Sequence, residues 1–328
     1  MALLLSRRDV QTLLGMADAI RIVEEAFRQL ALGQVLMPQR SVIHVGPHGG
    51  VYLGMPAYIG GAVDALAIKV VTVYANNPTR HNLPTTIGTL LLNDPRTGAP
   101  LAVMEAGYLT AVRTGAVSGV ATKHLARPNA TRVGVFGAGV QARAQLQAVC
   151  AVRKIQSAAV YDSDGQRARE YAREMGSQLK LLVTAVDTPR AAVEGMDIIL
   201  TASSAGQPIF DGAWLAPGQH INGVGSHSPK ARELDTATIV RSKVVPDFPD
   251  ACLAEAGDLL IPLSEGAITK AHLHAGLGEV VAGLKPGREN DQEITLFKSV
   301  GLALQDVATA SFVYKKALET HTGVEFSF

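Results

Sequence analysis

The spacing of apolar residues changes twice along this 328-residue chain. Residues 16–32 carry apolar side chains at intervals of three and four, which predicts an amphipathic helix. After Pro38 the pattern shifts to short β-rich runs punctuated by glycine and proline. The runs that predict strands are 41–45, 65–74 and 86–92. A further helix is predicted from about residue 109 to residue 126, ending before Pro128.

From residue 131 onward, segments that predict strands and helices alternate. The predicted strands are 133–136, 157–161, 179–183, 197–203, 220–224 and 243–246. The helices predicted between the first three of them are 141–152 and 166–175. Such alternation predicts a parallel sheet with helices on both faces and right-handed crossovers. A last long helix is predicted over 295–319, and we expect it to pack on the N-terminal part of the chain.

Composition excludes several classes of protein. Hydrophobic residues make up 47% of the chain and charged residues 18%, which indicates a well-folded globular protein. The net charge is only +1, without a basic or acidic stretch, so neither nucleic acid nor an anionic membrane is an expected partner. Cys150 and Cys252 lie far apart and the histidines lack ligand spacing, so no disulfide or metal site is predicted and a reducing cytoplasm is expected. No apolar run predicts a secretion signal or membrane span.

A glycine motif follows the first strand of the alternating region. Residues 137–142 read GAGVQA, the pattern G-x-G-x-x-A in a strand–turn–helix setting. Gly137 permits the tight turn, Gly139 lets the backbone approach a pyrophosphate, and the helix N-terminus offers free N–H groups. Asp162 ends the next strand, twenty residues after Ala142, where it can bind a ribose diol. The segment therefore predicts a Rossmann-type dinucleotide site.

The same aspartate bears on the choice of cofactor. A carboxylate at residue 162 would repel a 2′-phosphate, which favours NAD(H) over NADP(H). Arg167 and Arg169 follow closely and could soften that preference, so NADP(H) remains open.

Three cations stand out in the N-terminal part. Lys69 lies in the apolar run 65–71, and a desolvated lysine tends to lose its proton or to pair with an anion. Alternatively, its stem is covered and its head reaches solvent. Arg113 lies on the apolar face of its helix, where it could clamp a carboxylate or form an internal ion pair with an acid such as Glu105. Arg40, taken alone, reads as a surface arginine.

Taken together, stretches along nearly the whole chain resemble the ornithine cyclodeaminase/mu-crystallin family. They are 55–56 (MP), 67–69 (AIK), 109–116 (LTAVRTGA), 137–142 (GAGVQA) and 293–301 (EITLFKSVG). The resemblance implies an α/β fold with a doubly wound Rossmann sheet and a second α+β domain. It also implies a homodimer with the active site between domains. The expected division is 1–118 with 305–328 for substrate binding and dimerisation, and 119–304 for the dinucleotide.

The resemblance also assigns residues to the site. It implies that Arg40, Lys69 and Arg113 hold a substrate carboxylate, with Lys69 and Arg113 taking part in catalysis. The residues that it places against the dinucleotide, in addition to Gly137 and Gly139, are Thr85, Thr114, Val140, Gln141, Asp162, Ser203, Val224 and Ser299.

One loop departs from the cyclodeaminase pattern. Residues 223–230 read GVGSHSPK, and His227 takes the place of an aspartate that assists amine loss in cyclodeaminases. This favours the reductase and dehydrogenase branch of the family. His227 is a candidate proton donor, because histidine titrates near neutral pH. The alternatives are that it contacts the cofactor or is a solvated loop residue.

We therefore predict an NAD(P)H-dependent reductase of a C=N bond next to a carboxylate. Expected substrates are cyclic ketimines such as pyrroline-2-carboxylate or piperideine-2-carboxylate, or the imine of pyruvate and ammonia as in alanine dehydrogenases. Two alternatives stay open at this point. One is an ornithine or lysine cyclodeaminase that uses NAD catalytically, and the other is a mu-crystallin-like protein that binds NADPH and thyroid hormone.

Overall fold

The computed structural model describes residues 2–327, which divide into two compact units. The first unit contains the residues up to Arg113 and those from Leu302 onward, and the second spans Thr114–Gly301. The predicted boundaries after residues 118 and 304 differ from this division by five and three residues. The roles assigned to the two domains stay predictions.

The elements below are numbered along the chain. The strands are β1 (Ala2–Leu5), β2 (Val35–Leu36), β3 (Ser41–Val45), β4 (Gly50–Ile59), β5 (Ala65–Tyr74), β6 (Thr86–Asn93), β7 (Pro100–Glu105), β8 (Arg132–Phe136), β9 (Ser157–Tyr161), β10 (Leu182–Ala185), β11 (Ile198–Thr201), β12 (His220–Gly223), β13 (Ser242–Pro246), β14 (Ile294–Lys298) and β15 (Val324–Phe326). The helices are α1 (Arg7–Leu13), α2 (Met16–Ala31), α3 (Asn77–Arg80), α4 (Gly107–Leu125), α5 (Val140–Val152), α6 (Gly165–Leu179), α7 (Thr236–Arg241), α8 (Pro249–Glu255), α9 (Gly257–Ser264), α10 (Leu277–Val281) and α11 (Ala303–Thr320).

The first unit is built on an eight-stranded, mostly antiparallel sheet. Its order is β15-β1-β7-β6-β5-β4-β2, with β3 paired to β4, and only β1 and β7 run parallel. Side chains along β5 alternate between buried and half-buried positions, as expected for a strand with one covered face. Helix α11 packs against β4 and β5 and also contacts α2. One face of the sheet is therefore buried beneath this helix.

The second unit contains a seven-stranded sheet in which all neighbouring strands run parallel. Its order is β10-β9-β8-β11-β12-β14-β13. The chain thus starts in the middle at β8, builds outward through β9 and β10, and then crosses to β11 on the other side. Two separate apolar clusters accompany the sheet, one containing side chains from α5 and α6 and the other containing side chains from α7, α8 and α9. This arrangement confirms the predicted doubly wound α/β fold.

Two predicted elements were wrong at their boundaries. The helix predicted over 295–319 begins only at Ala303, because Ile294–Lys298 is the fully buried strand β14 between β12 and β13. A buried central strand carries apolar residues on both faces, as Ile294, Leu296 and Phe297 do here, so periodicity alone does not distinguish it from a helix. Gly301, with φ of 77°, separates the two elements. The strand predicted at 179–183 begins at Leu182, because α6 continues to Leu179. None of the described helices is long and apolar enough to span a membrane.

Candidate active site

The glycine turn after β8 lies where the order of the parallel sheet reverses. Gly137 has φ of 95°, and its N–H donates to the Tyr161 carbonyl over 2.9 Å. A Cβ atom at this position would lie 2.7 Å from the carbonyl oxygen of Ala202, so glycine is required. Ala202 follows β11, the strand on the other side of β8. In doubly wound sheets, ligands bind at this switch point, outside the carboxyl ends of the strands.

The start of α5 has the properties of a pyrophosphate site. Its N-cap is Gly139, which provides no side-chain acceptor for the N–H groups of the first turn. A Cβ atom built on Gly139 meets nothing within 4 Å, so the backbone borders open space. The next residue, Val140, is 65% exposed although it is apolar. Free N–H groups, a helix dipole and open space together fit a dinucleotide phosphate.

The acid at the end of β9 is held firmly beside this turn. Asp162 Oδ2 accepts the N–H of Ala138 over 2.8 Å, and Oδ1 accepts the N–H of Asp164 over 3.0 Å. Each carboxylate oxygen has a further lone pair, so both can still accept a bond from a hydroxyl group. The position therefore suits the ribose contact predicted for Asp162.

The other cofactor residues predicted in the second unit lie mostly at strand ends. Ser203 follows β11, Val224 follows β12 and Ser299 follows β14. The Ser299 hydroxyl donates to Asp247 Oδ2 over 2.7 Å. The carboxyl ends of these three neighbouring strands thus place the residues on one edge of the sheet.

Helices α4 and α5 approach each other closely near two further predicted residues, Thr114 and Gln141. The Thr114 carbonyl accepts a hydrogen bond from Gln145 Nε2 over 3.0 Å. A Cβ atom at Gly115 would lie 2.5 Å from the Ala144 carbonyl oxygen, so the small residue permits helix packing. Thr85, by contrast, lies exposed in the first unit, just before β6.

In the first unit, Lys69 is enclosed by apolar neighbours. Its partners across the sheet are Met55 on β4 and Leu90 on β6, both of them buried. Only 1% of Lys69 is exposed, which excludes the alternative that its head reaches solvent. The strand alternation turns this residue toward the covered face, and an ammonium group there needs an anion.

That anion is Asp306 on α11. Lys69 Nζ lies 2.7 Å from Asp306 Oδ2 as a fully buried ion pair. Arg113 Nε donates to Asp306 Oδ1 over 2.8 Å, and its Nη1 donates to Gln305 Oε1 over 2.6 Å. Two buried cations therefore share one carboxylate. We call Lys69, Arg113, Gln305 and Asp306 the buried cation cluster.

Glu105, suggested by the sequence as a partner of Arg113, has another role. Its carboxylate accepts the N–H groups of Gly107 and Tyr108 at the start of α4, over 2.9 and 3.0 Å. It also lies 3.6 Å from Arg7. Arg113 does form an internal ion pair, but its partner comes from the other end of the chain.

Burial makes the ammonium of Lys69 easier to deprotonate. The pKa of Lys69 is lowered from 10.5 to about 7, chiefly because burial penalises the charged form and second because Arg113 repels it. Asp306 opposes both effects, and Arg40 adds a small further decrease. Lys69 can therefore exchange a proton near neutral pH.

The remaining candidates lie in less enclosed positions. Arg40 is half-buried before β3, and its effect on the pKa of Lys69 places its charge in the surroundings of the cluster. His227 is exposed in the loop after β12, with Nδ1 3.2 Å from the Gly225 carbonyl oxygen. Within residues 2–327, no group of three histidine, cysteine or acidic side chains is arranged for a metal ion.

Sequence reasoning missed two residues of the cluster, Gln305 and Asp306. Both are fully buried, in the apolar first turns of α11. The signal was the one that identified Lys69, a charged side chain within an apolar run. It was overlooked because the segment was assigned to the longer helix predicted over 295–319.

A model of the ornithine cyclodeaminase/mu-crystallin family matches residues 1–321. The chain belongs to this family. A relative from Bacillus thuringiensis, named Delta(1)-pyrroline-2-carboxylate reductase, is 37% identical to this chain. The match covers 99% of this chain and 100% of the relative.

Two solved structures extend the comparison across the family. One is a Thermococcus litoralis Delta(1)-pyrroline-2-carboxylate reductase in complex with NADH and L-proline. It is 49% identical, with a TM-score of 0.96 over 99% of this chain and 100% of that one. The other is an archaeal alanine dehydrogenase dimer with bound NAD, 36% identical with a TM-score of 0.94 over 100% and 99%. These matches confirm the predicted family and fold class.

Asp162→Ser is expected to change the cofactor preference. Removing the carboxylate takes away a charged acceptor and the repulsion of a 2′-phosphate, so the Kd for NADH should rise about tenfold or more relative to that for NADPH. Fluorescence titration with both nucleotides measures the ratio. Asp164→Ser is the matched control, because serine can still cap α6. Its ratio of the Kd for NADH to the Kd for NADPH should equal that of wild type. An unchanged ratio in Asp162→Ser would refute the ribose contact.

Proposed function

We propose that this chain is an NAD(H)-dependent reductase that converts Δ1-pyrroline-2-carboxylate to proline. The observation that carries the proposal is the buried cation cluster, in which Lys69 and Arg113 share the single carboxylate of Asp306. With Lys69 protonated, the cluster holds one excess positive charge away from water. A small carboxylic acid supplies the missing negative charge.

The class of enzyme rests on the relatives and on the nucleotide site. The prediction of an NAD(P)-dependent oxidoreductase acting on a small amino or imino acid is confirmed by the reductases and dehydrogenases that match almost end to end. The prediction of NAD(H) as cofactor is confirmed by neighbours that hold NADH or NAD. In this chain the turn at Gly137, the free start of α5 and Asp162 fit such a nucleotide.

The substrate carboxylate would be held by arginine and lysine donors. Arg113 uses Nε and Nη1 for Asp306 and Gln305, and its Nη2 makes no hydrogen bond to the described residues. The Lys69 ammonium has three N–H donors and only one close carboxylate oxygen, that of Asp306, so donors remain for a substrate. These donors are fixed in place by buried partners, so little ordering is needed when the substrate binds. Arg40 would add a third positive charge.

Reduction of a C=N bond requires a hydride on carbon and a proton on nitrogen. When bound, the nicotinamide would supply the hydride. We propose that the proton comes from Lys69. Its pKa of about 7 means that at neutral pH much of it carries the charge that binds the substrate carboxylate, and that it can give a proton to the imine nitrogen. His227 remains a second candidate donor, from the loop after β12.

Alanine dehydrogenase activity is the second candidate, because the archaeal alanine dehydrogenase matches the whole chain at 36% identity. The same cluster would hold the carboxylate of the imine formed from pyruvate and ammonia. We rank Δ1-pyrroline-2-carboxylate first, because the identity to the reductase structure, 49%, is larger.

We also propose that the protein works as a homodimer in the cytoplasm. Val42 and Ile43 on β3 are exposed apolar side chains in the first unit, which a second copy could cover, and one matching structure is an alanine dehydrogenase dimer. Light scattering should report twice the chain mass of 34.5 kDa, and a monomer at micromolar concentration would contradict this.

The deciding experiment follows NADH oxidation with three additions. We expect the highest kcat/KM with Δ1-pyrroline-2-carboxylate, a lower value with piperideine-2-carboxylate, and the lowest with pyruvate plus ammonium. A parallel assay measures ammonia release from ornithine at catalytic NAD. Ammonia release from ornithine without NADH oxidation in the first assay would favour a cyclodeaminase, and a preference for pyruvate would favour alanine dehydrogenase.

A further inference from the structure

A buried carboxylate in the second unit joins the ends of two neighbouring strands. Glu233 has no exposed surface and accepts four hydrogen bonds. Its Oε1 accepts from the N–H and the hydroxyl of Ser203, over 2.7 and 2.6 Å. Its Oε2 accepts from the Thr201 hydroxyl and the Gly225 N–H, over 2.9 and 2.8 Å. Thr201 and Ser203 belong to the end of β11, and Gly225 to the loop after β12.

These contacts require a carboxylate. All four partners donate, and a carboxylate has two oxygens that only accept, with two lone pairs each. An amide would turn its NH₂ group toward the N–H of either Ser203 or Gly225, neither of which can accept. Burial raises the pKa of Glu233, while the bonds from Ser203 and the charge of Lys298 oppose the rise. The surrounding loop is also shaped around this group, since a Cβ atom at Gly225 would lie 2.3 Å from Glu233 Cδ.

Glu233 is itself fixed by a second buried ion pair. Its own N–H and that of Leu234 donate to Asp258 Oδ1 over 2.8 and 2.9 Å. Asp258 Oδ2 lies 2.7 Å from Lys298 Nζ at the end of β14, and this nitrogen donates to the Ser226 carbonyl over 2.7 Å. The loop after β12 is therefore held from β11 by Glu233 and from β14 by Lys298.

The network reaches the glycine turn. The peptide of Ala202 and Ser203 is the surface that leaves no room for a Cβ atom on Gly137. Ser203 is bound to Glu233 through both its N–H and its hydroxyl. A shift of this carboxylate would therefore move Ser203, the wall of the Gly137 turn and the loop beginning at Gly225 together.

We propose that Glu233 is a positioning residue for the dinucleotide, which sets the loops after β11 and β12 in the shape that binds it. The inference rests on the proposed function, because it assumes that NADH binds at this edge of the sheet. Glu233 has no exposed atoms and acts only through Ser203, Thr201 and Gly225.

The test compares Glu233→Gln with Asp197→Asn. Asp197 is a matched control, a buried carboxylate that accepts from Thr131 N–H, Arg132 N–H and Arg127 Nη2 at the opposite, amino end of the strands. Both variants should lower Tm without cofactor. Only Glu233→Gln should raise the Kd for NADH, by about tenfold or more, with a smaller NADH fluorescence change at saturation.

Two further variants, Thr201→Val and Glu233→Asp, keep the inference testable if Glu233→Gln does not fold. Thr201→Val removes one donor to Glu233 and keeps the shape of a buried side chain, so it should raise the Kd for NADH about threefold or more. Glu233→Asp keeps the charge and should bind NADH more tightly than Glu233→Gln.

The outcomes separate this inference from the proposed function. NADH binding within twofold of wild type in folded Glu233→Gln, or in Thr201→Val if the former does not fold, would overturn the inference alone. An equal loss in Asp197→Asn would overturn it as well, since the effect would then follow stability. Failure of the unchanged protein to bind NADH would overturn both.

Discussion

Lys69→Met is expected to lower kcat/KM for the imino acid by about 10²–10⁴-fold, the range typical of losing a proton donor. Methionine keeps the length and the apolar stem of lysine, so the space between Met55 and Leu90 stays filled. Asp306 still pairs with Arg113, which leaves one cation for one carboxylate. The variant should therefore fold with nearly normal stability while losing both a carboxylate ligand and the proposed acid.

The pH dependence tests the same residue in the unchanged protein. Lys69 is charged below its pKa of about 7 and neutral above it. Because the charged form both binds the carboxylate and donates the proton, kcat/KM should fall about tenfold per pH unit above 7. In Lys69→Met this limb should disappear from the residual activity.

Lys316→Met is the matched control for this prediction. Lys316 also belongs to the first unit, lies 3.8 Å from a carboxylate of Asp18, and is part of α11. It is partly exposed, and its loss should leave kcat/KM within about twofold, as for other surface ion pairs. A Lys69→Met enzyme that kept a tenth or more of wild-type kcat/KM would show that the proton comes from elsewhere.

The nucleotide site could be predicted from sequence because its signals are local. All its parts lie within 26 residues: the turn at Gly137, the helix that follows it, and Asp162. Dinucleotide binding requires the first two for their backbone geometry and Asp162 for its charge. Lys69 could be found for a related reason, since a lysine in an apolar strand conflicts with its surroundings. Such local conflicts mark candidate sites without any knowledge of the fold.

The partners of these residues could not be predicted, because they are distant in sequence. Arg113 and Asp306 are separated by 193 residues, and only the packing of α11 on the sheet brings them together. Glu233 likewise accepts hydrogen bonds from residues at the ends of two strands, and nothing in the sequence around Glu233 indicates these partners. Sequence patterns therefore identified the cations of the first unit but not the carboxylate that fixes them.

Asp306→Asn should lower the free energy of unfolding by about 3–5 kcal/mol, the cost typical of breaking a buried ion pair. Asparagine keeps the shape of the side chain but leaves Lys69 and Arg113 without a negative charge. Differential scanning calorimetry should show a decrease in Tm of about 10 °C. Asp18→Asn, which breaks partly exposed pairs with Arg21 and Lys316, should change stability by at most about 1 kcal/mol.

The loss in Asp306→Asn should grow as the pH falls. Without Asp306 the folded-state pKa of Lys69 drops below its wild-type value of about 7, while the unfolded value stays near 10.5. Between the folded and unfolded pKa the unfolded chain binds one more proton, so stability decreases as pH falls. In wild type this decrease ends near pH 7, but in the variant it continues to lower pH, by about 1.4 kcal/mol per unit. Adding Lys69→Met should remove this extra slope and recover part of the loss. If the stability difference between Asp306→Asn and wild type were the same at pH 6 and pH 8, Lys69 would not be the group that Asp306 keeps charged.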